Sequence, residues 1–300
     1  MTMTTSELGF IGLGTMGQAM SKHLSRSVDK LVAYDANEQA LARRDPSIVG
    51  VASVGEVAER CPVIFLSLPG PAQSRSVIEE LLTIAPAETI IVDTTTIDPL
   101  TAQELSDLTA RQEARYLQSP VIGGQVGAEK ATLTVICGGR TEVARRIERF
   151  LHAIGKDIHF VDAAPTAALL KLLNNLMSLS NTVVFMEALA LAAKSGVTAD
   201  VVYDVLKTGS GFSAAFERRW QTNIRQRSFD PGFSIDLAVK DLTLANEYAN
   251  RIGMPLFASA VSTNMYRLLQ QQGWGQKDVS ALALWWEEQT GSSMAISDDD

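Results

Sequence analysis

The sequence predicts an α/β fold: an N-terminal doubly wound parallel sheet, then a long helix, then an all-helical C-terminal part. Three observations carry this. Short apolar runs alternate with helical stretches over the first half, which is the pattern of a parallel sheet covered by helices on both faces. A glycine-rich turn joins the first apolar run to the first helical stretch. After "DIHFVD" (157–162) strand signals largely stop and helix formers dominate to about Glu288.

Taken in order, "LGFIGLG" (8–14), "KLVAYD" (30–35), "PVIFLSLP" (62–69), "TIIVDTTT" (89–96), "ARYLQSP" (114–120) and "ATLTVICGG" (131–139) read as strands. Between them, "TMGQAMSKHLSRS", "SVGEVAERC" and "LTAQELSDLTARQ" carry helical periodicity. Residues 1–162 form the expected sheet domain. Pro165 suits a first helical turn, and 163–193 reads as one helix of about 30 residues, able to serve as a spine between two domains. "GVTAD", "TGSGFS", "SFDPGF", "RIGMP" and "QQGWGQKD" punctuate 194–290 as turns between helices. The small, polar, acidic tail 291–300 is expected to be disordered.

Bulk properties narrow the function classes. The chain has 300 residues, 46% hydrophobic and 20% charged, which is ordinary for a globular protein with a substantial core. A net charge of -8 without a basic stripe argues against nucleic acid as a partner. Cys61 and Cys137 lie far apart without metal-ligand spacing, so no disulfide framework and no metal site are expected. "MTMTTSELGF" lacks the basic and apolar regions of a signal peptide. The apolar stretch 163–193 is interrupted by Lys171, Asn174, Asn175, Asn181 and Glu187, so no membrane span is expected. A cytoplasmic location follows as the default expectation. His23, His152 and His159 show no metal spacing and no evident acid partner; all three read as structural.

"GFIGLGTMGQAM" holds Gly12-x-Gly14-x-x-Gly17 directly after a strand and at the mouth of a helix. In that context the glycines have separate steric duties. Gly12 allows the tight turn, Gly14 lets a pyrophosphate approach the backbone, and Gly17 lets helix and strand pack closely. The second strand ends at Asp35, eighteen residues past Gly17, where an acid can hydrogen-bond a ribose 2′-hydroxyl and repel a 2′-phosphate. Ala36 and Asn37 follow instead of arginine, which favours NAD; Arg43 and Arg44 a few residues on keep NADP possible. Further along, "TAALLKLLNN" places Lys171, Asn174 and Asn175 on one helix face. Either that face meets water or it lines a site.

These motifs together resemble the β-hydroxyacid dehydrogenase family, which includes 3-hydroxyisobutyrate dehydrogenase and tartronate semialdehyde reductase. The resemblance runs from Leu8 to about Leu284. It rests on the ordered set "GFIGLGTMG", "FLSLPGP", "IVDTTTIDP", "SPVIGGQVGAEKATL", "KLLNN", "FSIDLAVKDLTLA" and "GWGQKDVSAL". It implies a Rossmann domain, a long connecting helix, an all-helical C-terminal domain and a homodimer or homotetramer. It also implies an NAD(P)-dependent oxidoreductase acting on a small 3-hydroxy acid or its semialdehyde.

Carried over by position, the resemblance puts the cofactor on Gly12, Leu13, Gly14, Thr15, Met16 and Gly17, with Asp35, Leu68, Pro69, Thr96 and Lys240. It puts the substrate on Ile122, Gly123, Gly124 and Asn174, where consecutive glycine N–H groups can form an anion nest. Lys171 becomes the general acid/base and Asn175 its helper. An ammonium beside a carbonyl oxygen stabilises the charge that hydride addition builds there and can donate a proton. Asp241, next to Lys240, either orients it or forms a structural ion pair. Phe212, Trp220 and Phe233 either line the substrate cleft or belong to the core.

Two departures from the family pattern bear on substrate. Ile122 replaces a serine, and Gln118 replaces an acid in a stretch that usually reads Asp-Ala-Pro-Val-Ser-Gly-Gly. Depriving a polar ligand of a hydroxyl partner costs about 1–3 kcal/mol if nothing replaces it. Pro165 and Ala167 stand where glycines are usual. Two other readings remain: a reductase of an atypical carbonyl or imine on the same fold, and a non-catalytic nicotinamide-binding sensor. The imine-reducing relatives tend to replace the lysine, and a sensor needs neither Lys171 nor Asn175, so both residues weigh against these readings.

Overall fold

The computed structural model describes residues 6–230 and 232–294. The chain divides into two compact units, Met1–Leu172 and Leu173–Asp300, with the dividing point inside one long helix.

In the first unit the strands are β1 (Glu7–Ile11), β2 (Lys30–Tyr34), β3 (Ile48–Gly50), β4 (Val63–Leu66), β5 (Ile90–Asp93), β6 (Arg115–Gln118), β7 (Val121–Ile122), β8 (Leu133–Gly138) and β9 (Gly155–Val161). The helices among them are α1 (Thr15–Ser25), α2 (Glu38–Ala42), α3 (Val54–Arg60), α4 (Pro71–Leu82), α5 (Pro99–Arg111), α6 (Gly124–Glu129), α7 (Thr141–Arg146) and α8 (Glu148–Ile154). The sheet order is β3-β2-β1-β4-β5-β6-β8-β7, with β9 beside β8. The first six strands are mutually parallel. This order reverses between β1 and β4, which is the point where such sheets hold dinucleotides. β7 and β6 meet β8 antiparallel, and β9 runs parallel to it.

The near-continuous apolar strands follow from double coverage. Val63 and Phe65 of β4 enter one core cluster, while Ile64 and Leu66 enter the other on the opposite face. Leu8 and Phe10 of β1 likewise lie on the first face and Ile11 on the second. A pleated strand alternates its side chains across the sheet, so a strand buried on both faces has few polar positions. Asp98 caps α5 by accepting from the Leu100 and Thr101 amides, and Pro99 fills its first turn.

α9 (Ala164–Lys194) is one continuous helix of 31 residues. By length and composition it would suffice to cross a membrane, its most apolar window having a mean hydropathy of 1.6. In the fold that apolar length is used for packing: Leu179, Val183, Met186 and Leu189 lie inside the core of the second unit.

The second unit continues with α10 (Ala199–Leu206), α11 (Ala214–Arg219), α12 (Ile235–Arg251), α13 (Phe257–Leu269) and α14 (Leu282–Thr290). Among its described residues only an isolated bridge, Ser234 to Asp278, has β geometry. Its polar anchor is Asp278, fully buried. Asp278 pairs with the Arg219 guanidinium at 3.1 Å and accepts from the Phe233 amide at 2.8 Å and the Ser280 hydroxyl at 2.7 Å. Trp220 is buried with its ring stacked on Tyr203, 4.6 Å between centroids, and Phe212 and Phe233 pack against the same core. These aromatics therefore serve the core of the unit.

Part of the stretch 291–300 expected to be disordered is described: residues 291–294 follow α14. Met294 is buried, and its amide donates to Glu287 Oε1 at 2.5 Å; residues 295–300 lie outside the described residues.

Candidate active site

The C-terminal ends of β1, β2, β4 and β5 are sewn together by backbone hydrogen bonds that run past the last paired residues. The Gly12 amide donates to Tyr34 O at 3.0 Å, Ser67 to Ile11 O at 2.9 Å and Thr94 to Leu66 O at 2.9 Å. This fixes the loops that carry the glycine motif, Leu68–Pro69 and Thr96 on one edge of the sheet.

The three glycines differ in the way the sequence requires. Gly12 has φ +96°, and a Cβ there would sit 2.2 Å from Ser67 O. A Cβ on Gly17 would sit 1.9 Å from Gly12 O, so strand and helix could not approach. A Cβ on Gly14 would meet nothing within 4 Å. Gly14 thus leaves open space where the protein itself needs none, immediately at the start of α1. That is a cradle shaped for a pyrophosphate, and the residues present fit a dinucleotide.

Asp35 stands at the end of β2 and is tied into this loop. Its Oδ2 accepts from the Leu13 amide at 2.6 Å and its Oδ1 from the Asn37 amide at 2.7 Å. Of the two arginines that kept a 2′-phosphate in view, Arg44 is turned inward, donating to Ile48 O at 3.0 Å and Leu41 O at 3.1 Å. Arg43 is exposed beyond the end of α2.

Under the Leu68 and Thr96 loops lies a buried polar network that sequence reasoning missed. Thr95 Oγ1 accepts from the Leu68 amide at 3.0 Å, and the Thr95 amide donates to Asp93 Oδ1 at 2.9 Å. Burial pushes the Asp93 carboxyl above the usual carboxylate range, with hydrogen bonds from Thr95, Ser74 and Tyr116 acting the other way. Gln118 completes the network: its Nε2 donates to Thr95 O at 2.7 Å and its Oε1 accepts from the Tyr116 hydroxyl at 2.5 Å. The residue replacing the family's acid is therefore fully buried beside Asp93, where a neutral amide avoids a second carboxylate.

Lys171 is 8% exposed, and its Nζ donates to Val121 O at 2.7 Å. Val121 is followed by Ile122, Gly123 and Gly124, so the lysine's ammonium is set at the start of the stretch expected to hold substrate. Gly123 (φ +132°) and Gly124 (φ +64°) both lie in the positive-φ region that turns the chain into α6. The Ile122 side chain faces an open concavity of about 640 Å³, whose other walls include Ile136, Ile158, Phe160, Arg145 and Leu170. The Arg145 guanidinium covers the Phe160 ring at 4.1 Å.

Further along α9, its polar residues are held within the second unit. Asn174 Nδ2 donates to Asn175 Oδ1 at 2.9 Å, and Asn175 Nδ2 donates to Asp241 Oδ2 at 2.6 Å. Asp241, 3% exposed, also pairs with Lys240 at 3.1 Å through Oδ1. One buried carboxylate thus links Asn175 of α9 to Lys240 of α12. The histidines serve elsewhere: His23 meets Glu129 O at 2.9 Å, His152 faces Glu148, and His159 lines the Ile122 concavity. Among the described residues no group of three His, Cys, Asp or Glu is placed to hold a metal.

Comparison with known proteins matches this arrangement along nearly its whole length. The family model described as the NAD-binding domain of 6-phosphogluconate dehydrogenase matches residues 7–162. That described as NAD-binding of NADP-dependent 3-hydroxyisobutyrate dehydrogenase matches 166–286. The chain is 32% identical to 2-(hydroxymethyl)glutarate dehydrogenase of Eubacterium barkeri, over 96% of this chain and 97% of that one. It is 30% identical to 2-hydroxy-3-oxopropionate reductase of Escherichia coli, over 92% of this chain and 95% of that one. The solved structure of Mycobacterium tuberculosis 3-hydroxyisobutyrate dehydrogenase with L-serine superposes with a TM-score of 0.88 at 26% identity, covering 94% and 99% of the two chains. With its cradle for a dinucleotide and both halves matched, the chain belongs to the β-hydroxyacid dehydrogenase family of nicotinamide-dependent oxidoreductases.

Proposed function

We propose that the protein interconverts a small 3-hydroxy carboxylic acid and its semialdehyde, prefers NAD to NADP, and uses Lys171 as general acid/base. The observation that carries this is the buried Lys171 ammonium, held by Val121 O at 2.7 Å and one residue from Ile122–Gly124. A lysine on a solvated helix face would be neither buried nor so held.

The bound dinucleotide supplies the hydride that reduces the substrate carbonyl carbon, or accepts it in the reverse direction. The chain does the rest. Val121 O takes one of the three Nζ hydrogens and sets the direction of the amine. Protonated Nζ stabilises the negative charge growing on the substrate oxygen and passes a proton to it. In oxidation the neutral amine receives the hydroxyl proton. Backbone N–H groups of Gly123 and Gly124 hold the carboxylate. Asn175, oriented by Asp241, would position the substrate oxygen, and Thr95 holds the Leu68 loop that would help bind the dinucleotide. Asp35 would accept a hydrogen bond from the ribose 2′-hydroxyl and would disfavour a 2′-phosphate.

Ile122 refines the substrate. Where the family has a serine hydroxyl this chain presents an alkyl side chain, so a carbon substituent near the carboxylate is accommodated better than a hydroxyl. Relatives named for 2-(hydroxymethyl)glutarate and 2-hydroxy-3-oxopropionate support a small carboxylic acid as the class. We further read the enzyme as a cytoplasmic homo-oligomer without nucleic-acid or membrane partners; the net charge of -8 supports the exclusion of nucleic acid. A screen of 3-hydroxy acids and semialdehydes with NAD and NADP tests the reading. Turnover of alkyl-branched acids with NAD is expected; cofactor binding with no turnover of any hydroxy acid or semialdehyde refutes it.

A further inference from the structure

Four buried residues at the C-terminal ends of β5 and β6 close a ring of hydrogen bonds that the proposed reaction does not use. Gln118 Nε2 lies 2.7 Å from Thr95 O, and Gln118 Oε1 lies 2.5 Å from the Tyr116 hydroxyl oxygen. That oxygen lies 3.3 Å from Asp93 Oδ2, and the Thr95 amide lies 2.9 Å from Asp93 Oδ1. A further bond hooks the ring to the loop after β4, where the Leu68 amide donates to Thr95 Oγ1 at 3.0 Å. All four residues are buried, Asp93 and Gln118 completely.

Counting hydrogens sets the direction of each bond. Thr95 O is a carbonyl and can only accept, so the Gln118 atom facing it is the NH₂ group and the one facing Tyr116 is the oxygen. The Tyr116 hydroxyl has one hydrogen, and two oxygens require it: Gln118 Oε1 and, were the carboxyl ionised, Asp93 Oδ2. Given to Asp93, it leaves two bare oxygens 2.5 Å apart at Gln118. Given to Gln118, it leaves a buried carboxylate oxygen facing the phenol oxygen with no hydrogen between them. A proton on Asp93 Oδ2 removes the conflict. Every donor then points the same way round, from Asp93 to Tyr116 to Gln118 to Thr95 and back to Asp93, and bonds so aligned polarise one another. The surroundings favour the neutral acid. The groups acting on Asp93, which are Thr95, Ser74 of α4 and Tyr116, are uncharged, and burial raises its pKa. From α4, α5 and α9 the apolar cluster around Tyr116 takes Ile78, Ala102, Leu105 and Ala168, none of which titrates. A carboxylate at position 118 could not donate to Thr95 O, so the glutamine is what closes the ring.

We propose that Asp93, as a neutral carboxylic acid, is a positioning residue for the dinucleotide, which rests on the reading of Leu68, Pro69 and Thr96 as cofactor residues. Its hydrogen starts the ring that fixes Thr95. Thr95 in turn holds the Leu68–Pro69 turn through its hydroxyl oxygen and sets Thr96, the next residue, beside it.

The test uses the full-length chain. Difference infrared spectra of wild type against Asp93→Asn at neutral pH should show the carbonyl stretch of a protonated carboxylic acid. Asp93→Asn keeps an acceptor for the Thr95 amide and a donor for Tyr116, so NADH affinity by fluorescence titration should stay within about threefold of wild type. Tyr116→Phe breaks the ring and should weaken NADH binding at least about tenfold, as loss of a buried hydrogen bond does. Leu68→Ala, the control for the loop, should weaken it as well. The unfolded acid titrates at about 3.9 and the folded one higher, so stability present below that value is lost as pH rises through the window. Asp93→Asn should therefore melt above wild type at neutral pH and lose that lead toward about pH 4. Absence of the acid band, or an Asp93→Asn variant that binds NADH outside the stated range or melts below wild type at neutral pH, overturns the neutral acid. Affinity lost in Leu68→Ala but kept in Tyr116→Phe overturns the positioning role alone. Affinity kept in both overturns the reading of the loop as a cofactor site, and the proposal with it. If Tyr116→Phe does not fold, Thr95→Val, which removes the acceptor of the Leu68 amide, takes its place.

Discussion

Replacing Lys171 separates the proposed chemistry from the architecture, because the nitrogen assigned the proton transfer is also the one that holds Val121 O. Loss of a general acid lowers a rate by 10²–10⁴-fold, equivalent to about 2.7–5.5 kcal/mol of transition-state stabilisation. The structural cost is distinct: the Val121 carbonyl loses its 2.7 Å donor, and an unsatisfied buried acceptor costs about 1–3 kcal/mol. Lys171→Met keeps the length and apolar stem of the side chain, so its stability loss should stay within that range. Its kcat for semialdehyde reduction should fall at least about 100-fold. NADH binding, read by fluorescence titration, should change less than about threefold, since the glycine loop is untouched. Lys171→Arg should keep the charge and fail to restore the rate, because a guanidinium does not give up a proton at working pH. A Lys171→Met enzyme with wild-type kcat removes this lysine from the reaction and leaves only its structural bond.

The glycines make a second contrast. Gly14→Ala should fold with stability within about 0.5 kcal/mol of wild type, as a surface change does, and yet weaken NADH binding at least about tenfold by filling the cradle. Gly12→Ala, with its Cβ 2.2 Å from Ser67 O, should fail to give folded protein. Asp35→Ala should narrow the ratio of kcat/KM for NADH over NADPH; a wild type that already works better with NADPH refutes the 2′-hydroxyl argument. Asp278→Ala strands the buried Arg219 cation and should cost about 3–5 kcal/mol, seen in chemical denaturation. Burial raises Cys61 to about 12 and Cys137 to about 11. Both should resist alkylation in the native state at neutral pH and react on unfolding. Because folding raises these thiol pKa values, the associated stability is intact below the unfolded thiol pKa of about 8.5 and is lost as pH climbs toward the folded values; a native chain alkylated rapidly at neutral pH contradicts the burial.

Much of this was legible in the sequence because local chemistry and tertiary role coincide. The glycine motif requires the backbone turn it shows, and six strands are legible as apolar runs because burial on both faces leaves them little polarity. β3 and β7 escaped notice: at three and two residues they are held by neighbours, not by their own pattern. The length of α9 followed from its apolar character after Pro165. What could not be read was pairing at a distance. Nothing near residue 171 signals that Val121 O will receive the lysine, and nothing near 175 points to Asp241. Gln118 reads in the sequence as a change to the substrate stretch; its partners Thr95 and Tyr116 make it part of the core, and the register of β5 and β6 brings these residues together.

β9 ends at Val161 and α9 begins at Ala164, so the amine that meets Val121 is indexed to the sheet by a fixed count of residues. Each residue added or removed inside the first two turns of α9 would swing position 171 by about 100° and shift it about 1.5 Å. Chain-length variation among functional descendants of this sequence should therefore collect in the surface turns before β9 and leave the stretch from Gly155 to Lys171 uniform in length, a constraint that any loop-grafting or circular-permutation scheme inherits.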